Sequence, residues 1–245
     1  MFLDIHLESC DDKGERLLRL AELGKPFSIS PVPVLFLPKH DVFKTGIYPS
    51  ELAYSKELID ILKKLTRDKN VLFGQQGFSH YCTECFKEKE KKSPHHENMC
   101  LYGFKSLGEQ IELMFEGKRI IEEVLGISPI LYVPPNHQYD KNSIIAAQRL
   151  GFDFFAVRRL MDIFPYKKGS LIVLPESRLG ETGEIMYAHY DETANDFEKY
   201  LEVVKQSSSL YTINPTKQSE SDIQENYKKM LLVKKRRDEE KMPAD

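Results

Sequence analysis

The chain has no run approaching the ~20 consecutive apolar residues of a membrane-crossing helix, which excludes a helical span. Its amino terminus, MFLDIHLESC, lacks a basic stretch ahead of an apolar core and lacks a small-residue cleavage site. It therefore reads as a cytoplasmic start rather than a secretory leader. An excess of one charge is also missing. A formal net charge of −3 over 245 residues gives no electrostatic case for a nucleic-acid partner. Cysteine is scarce: the four thiols, Cys10, Cys82, Cys85 and Cys100, are too few for a disulfide-built secreted scaffold. There is no internal repeat and no long low-complexity tract.

What remains suits a folded α/β domain. With 41% hydrophobic residues, the chain is long enough to bury a sizeable core. Strands are expected at 2–7, 32–37, 70–73, 130–133, 154–157, 171–174 and 184–188. Helices are expected at 13–23, 50–65, 106–125, 139–150 and 194–204. Ser106 followed by Glu109 forms a capping box, and Gly126 is a stop signal. Ser50 is the expected cap of the 50–65 helix. Strands alternating with helices predict a parallel sheet or barrel with helices outside. The expected organisation is one domain over 1–215, with an irregular insertion at 81–104 and a charged helical tail at 216–245.

Polar residues cluster just after the expected strand ends, where α/β proteins build active sites. The first strand is followed by Asp11 and Asp12, and the third by Gln76-Gly77-Phe78-Ser79-His80. The fourth is followed by Pro134-Pro135-Asn136-His137, and the last ends at His189. Carboxylates and imidazoles converging on one mouth suit a divalent cation, and leave a general base and a general acid over. Each motif taken singly is also ordinary turn chemistry: a cap, a proline stop, a loop histidine.

The order of these motifs resembles the polysaccharide deacetylase (NodB-homology) superfamily, in particular its divergent branch of predicted deacetylases. Cys10-Asp11-Asp12 is similar to the family's Asp-Asp pair. Residues 76–80 are similar to its His-x-x-x-His segment, with Gln76 in place of the first histidine. Tyr132-Val133-Pro134-Pro135 and Leu150-Gly151-Phe152 match its aromatic-x-Pro-Pro and Leu-Gly-Phe stretch. The resemblance implies a distorted, seven-stranded (β/α) barrel acting on an N-acylated sugar or related amide. It implies Asp11 as base, His189 as acid, and Asp12, His80 and Gln76 around a divalent metal, zinc in most relatives. Asn136 and His137 would border the pocket, His137 as a replacement ligand or a polar contact.

Two departures weaken that pattern. A neutral glutamine oxygen is a poorer zinc ligand than imidazole. Val133 stands where the family's base-orienting arginine belongs. Two functional readings follow. One is a metal-dependent deacetylase acting on a small-molecule or carbohydrate substrate. The other is a catalytically degenerate carbohydrate- or protein-binding module of the same fold. Separately, Cys82-x-x-Cys85, His96 and Cys100 resemble half of a structural zinc centre, set beside a solvated charge run at 87–92. The tail's basic stretch at 234–237 is cancelled by Asp238, Glu239 and Glu240, so it reads as a solvated helix or a homo-oligomer contact.

Overall fold

In a computed structural model of the chain, the described residues are 2–8, 10, 12–36, 54–79, 99–100, 103–158, 165–178, 181, 185–213 and 215. Ten strands are assigned among them: β1 (Phe2–Leu7), β2 (Phe27–Pro31), β3 (Val71–Gln76), β4 (Met99–Cys100), β5 (Gly103–Phe104), β6 (Leu131–Val133), β7 (Phe154–Arg158), β8 (Tyr166–Lys168), β9 (Leu171–Ser177) and β10 (Ile185–His189). The α-helices are α1 (Glu15–Ala21), α2 (Lys56–Leu65), α3 (Leu107–Leu125), α4 (Lys141–Arg149) and α5 (Thr193–Lys205). Seven strands close into a parallel barrel in the order β1-β2-β3-β6-β7-β9-β10, and β10 returns to β1. Strand β8 pairs antiparallel on β9 as an appendage. Among the described residues, β9 meets β10 through two pairs, Glu176↔Ile185 and Ser177↔Met186.

The strand rows follow from alternation. On β1, Leu3, Ile5 and Leu7 face outward and pack with Leu17, Leu20, Leu58 and Leu62 of α1 and α2. The other row, Phe2, Asp4 and His6, faces the barrel interior. At its floor, Phe2 packs with Leu131, Val133, Phe154, Leu174 and Ile185 from strands around the ring. Above that apolar floor the interior turns polar. Buried Asp4, His6, Ser28, Ser30, Gln76 and Glu176 stack toward the carboxyl ends of the strands. On the far side, α3 and α4 cover Tyr132, Phe155 and Val157 through Met114, Ile144, Ala146 and Ala147. Burying each such large side chain contributes roughly 1.5–3 kcal/mol.

The second strand differs from its expected place. It is Phe27–Pro31, and the expected 32–37 strand gives way to a 3-10 turn at Pro33–Phe36. The true strand was hidden because its inward residues are Ser28 and Ser30, which bond a buried carboxylate and break the apolar run. Helix α2 starts later than expected, with Ser55 accepting from the Leu58 amide; Ser50 lies outside the described residues. The Ser106–Glu109 capping box and the left-handed Gly126 stop hold as expected on α3. Within the 81–104 segment, β4 and β5 pair antiparallel. The tail from 216 onward lies outside the described residues.

Gly117 carries a prediction. Alanine is better in a helix by about 1 kcal/mol, but a Cβ at Gly117 would run into the Gln75 amide and come within 3.1 Å of Pro33. Gln75 is not free to retreat, since its Nε2 donates to the Gly77 carbonyl at 2.9 Å and the Met114 carbonyl at 3.1 Å. Gly117→Ala is expected to lower stability by about 1–3 kcal/mol, checked by urea denaturation.

Candidate active site

Asp4 and His6 come from β1, and the same alternation carries Glu8 to the mouth just beyond the strand. The Gln76 Nε2 donates to Glu8 Oε1 at 2.6 Å, and His189 Nδ1 lies 3.1 Å from that same oxygen. Glu8 and His189 are about one-third and one-quarter exposed, at 31% and 26%. A carboxylate–imidazole pair therefore sits at the carboxyl ends of the strands, with Gln76 fixing the carboxylate. The register explains the meeting, because His6 pairs with His189 on β10, and their rings lie 5.4 Å apart, edge to face.

One layer deeper lies a cluster of Asp4, His6 and Glu176, each no more than 1% exposed. His6 Nε2 is 3.2 Å from Asp4 Oδ2 and 3.7 Å from Glu176 Oε2. Ser28 and Ser30 hydroxyls donate to Asp4 Oδ1 at 2.6 and 2.9 Å. Both carboxylate oxygens of Glu176 are buried and accept no hydrogen bond among the described residues. His137 Nδ1 approaches Glu176 Oε2 at 3.7 Å. Tyr187 lies stacked on His6 at 5.0 Å and against His137 at 4.6 Å, and its hydroxyl accepts from Arg178 Nε at 3.0 Å. The ligand atoms of Asp4, His6 and Glu176 all lie within 4.8 Å of one another, a grouping able to hold a metal ion.

Burial sets the electrostatics here. It works against a charge on His6, yet the two carboxylates more than offset it and raise the imidazole to about 10. Burial pushes Glu176 up to about 7, against the pull of His6. The two groups titrate as a coupled pair, and the direction that stands is a protonated imidazole shared between carboxylates.

Asp12 has a different role. Its Oδ1 accepts from the Gly14 amide at 3.0 Å and from the Tyr190 hydroxyl, and its Oδ2 accepts from the Arg16 amide at 3.2 Å. Arg16 Nε lies 2.9 Å from Oδ2. The carboxylate thus closes the start of α1 and ties it to the residue after β10. Asp11 and His80 lie outside the described residues, as do Cys82, Cys85 and His96; Cys100 sits in β4. Asn136 is exposed in a left-handed turn (φ 50°), and His137 follows at φ 54°. Such strained backbone tends to gather at functional sites; here it turns one residue outward and the next toward Glu176. Of the metal ligands that the resemblance implies, Asp12 is engaged in capping and Gln76 is bonded to Glu8. His80, the remaining member, lies outside the described residues; among the described residues, Asp4, His6 and Glu176 are brought together.

Asp12 makes a testable case. Burial opposes its charge, but the Tyr190 hydroxyl, the backbone amides and Arg16 outweigh that and hold its carboxyl below 3.8. A lowered native pKa gives stability that is present above the unfolded value and lost as pH falls through the native one. Asp12→Asn is expected to cost about 1 kcal/mol near neutral pH. That difference should be complete above the ordinary aspartate range and shrink as pH falls through the lowered native pKa, measured by denaturation at several pH values.

Glu8, Asp4, His6 and Glu176 were not singled out from sequence. The available signal was a charged or imidazole residue at every second position, 4, 6 and 8, along and just past the first expected strand.

No protein-family model matches the sequence, and no curated relative matches it either. Solved structures do. A deacetylase domain from Bordetella bronchiseptica is 8% identical, with 77% of this chain and 72% of that one covered at a TM-score of 0.52. A de-N-acetylase from Aggregatibacter actinomycetemcomitans is 12% identical over 77% of this chain and 68% of that one, at 0.51. A CE4 family pseudoenzyme from Bacillus anthracis is 11% identical over 83% of this chain and 59% of that one, at 0.50. At such identities the likeness is one of architecture, and it agrees with the closed seven-stranded ring: the chain has the fold of the polysaccharide deacetylases.

Proposed function

We propose that the barrel mouth hydrolyses the amide of an N-acylated sugar or related acylated amine, with Glu8 and His189 as its acid–base pair. The observation that carries this reading is the Glu8 carboxylate held between Gln76 at 2.6 Å and His189 at 3.1 Å, at the end of the barrel where such sites form. Glu8 takes a proton from the attacking water as the water oxygen bonds to the acyl carbon. His189 delivers a proton to the amine nitrogen as the C–N bond breaks. Positioned groups of this kind each contribute typically 10²–10⁴-fold. No step is routed through a metal ion.

An open cavity of about 600 Å³ is walled by Arg178, Tyr187, Glu192, Lys199 and Tyr200, and the Tyr187 ring lies 5.9 Å from that of His189. Its lining of charged groups and tyrosines suits a hydroxylated, hydrogen-bonding substrate. The test is release of acetate from N-acetylglucosamine oligosaccharides by the purified chain, and its loss in His189→Asn. A second reading, a non-catalytic carbohydrate-binding module, is favoured by one observation: Gln76 takes a histidine's place and donates to Glu8. Oligosaccharide binding with no acetate released from any acylated amino sugar would establish that second reading instead.

A further inference from the structure

Below the Glu8–His189 pair, Asp4 and Glu176 carry no exposed surface at all, and the hydrolysis proposed above does not use them. We propose that Asp4, His6 and Glu176, with His137 beside them, form a buried site for one divalent first-row transition cation. The donor set is right in kind: carboxylate oxygen and imidazole nitrogen are the ligands that manganese, iron and zinc share. Its nearest contacts come close to the spacing required, within a group whose three ligand atoms all lie within 4.8 Å of one another. Ligand atoms around a four-coordinate ion at about 2.0–2.2 Å are separated by about 3.3–3.6 Å. The neighbouring donors here stand 3.2, 3.7 and 3.7 Å apart.

It is also right in charge and in hydrogen bonding. Two buried carboxylates balance a doubly charged ion with His6 neutral, whereas an imidazolium alone covers only one of them. Glu176 presents two oxygens that accept no hydrogen bond among the described residues, an expensive arrangement for a fully buried carboxylate without a cation. Asp4 is steadied from behind by Ser28 and Ser30, the kind of support that orients metal-binding carboxylates.

The position gives the ion a task. Asp4 and His6 lie on β1 and Glu176 on β9, with β10 between them. The ion would brace the barrel across the seam where, among the described residues, β9 and β10 share two residue pairs. It would also fix the His6 ring under Tyr187 and beside His189.

The experiment strips the full chain with a chelator, adds Mn²⁺ and measures the thermal midpoint, and in a parallel sample removes the excess and measures retained manganese. Manganese is the probe because thiolates of the 82–100 segment prefer softer ions. One equivalent should be retained per chain, with the midpoint raised by about 5–10 °C at ~100-fold excess over Kd. Glu176→Gln and Asp4→Asn should each weaken binding by at least about 10-fold. Should either fail to fold, His137→Gln, at the edge of the cluster, should still weaken it measurably. Asp12→Asn should bind as the parent does. No retained manganese, full binding by Glu176→Gln, or loss of binding in Asp12→Asn would overturn the site. Binding is read without turnover, so this result and the acetate-release result stand or fall separately.

Discussion

Glu8→Gln is expected to lower turnover on an acylated amino sugar by roughly 10²–10⁴-fold while leaving the fold unchanged. The substitution keeps the size of the side chain and an oxygen to accept the Gln76 Nε2 hydrogen bond. What it removes is the ability to take a proton from water. Glu8 is partly exposed, so the neutral amide meets no new burial cost. The expected signature is a drop in kcat with an unchanged melting temperature. An unaltered kcat in a folded Glu8→Gln protein would remove Glu8 from the chemistry.

His6→Leu is expected to destabilise the metal-free protein by roughly 3–5 kcal/mol. The reason is the company His6 keeps. Asp4 and Glu176 have no exposed surface, and His6 is the cation shared by both, 3.2 and 3.7 Å away. Leucine fills the space but leaves two buried carboxylates facing each other. Breaking a buried ion cluster by removing one member costs far more than replacing all of it with apolar groups. Asp4→Val, His6→Leu and Glu176→Leu combined should therefore recover much of the loss. Urea denaturation of the single and triple variants checks both arms. A loss below about 1 kcal/mol in His6→Leu would mean that the carboxylates do not depend on it.

The alternation of helical and strand patterns, the Ser106–Glu109 box, the Gly126 stop and the Pro134-Pro135 strand end were all local signals, and each made the barrel legible from the chain alone. These features depend on neighbours within a few residues, where propensity and capping act. Gln76 and His189 were also legible, because they stand at strand ends in the expected order. For Asp12 the sequence leaves its surroundings open. An aspartate after a strand looks the same whether or not it also closes the next helix, and only the structure shows it bonded to the Gly14 and Arg16 amides, the Arg16 side chain and the Tyr190 hydroxyl.

The sequence by itself determined the class of fold and the end of the barrel where chemistry gathers, since both follow from periodicity and from what ends each strand. Only the tertiary structure decided which side chains meet. Glu8, Gln76 and His189 are separated by 68 and 113 residues along the chain and converge only because β10, β1, β2 and β3 are successive strands of a closed ring. Asp4, His6 and Glu176 meet for the same reason: parallel strands in register point every second residue into one shared interior. Pairing and closure across such distances are long-range properties of the barrel, and no local pattern records them.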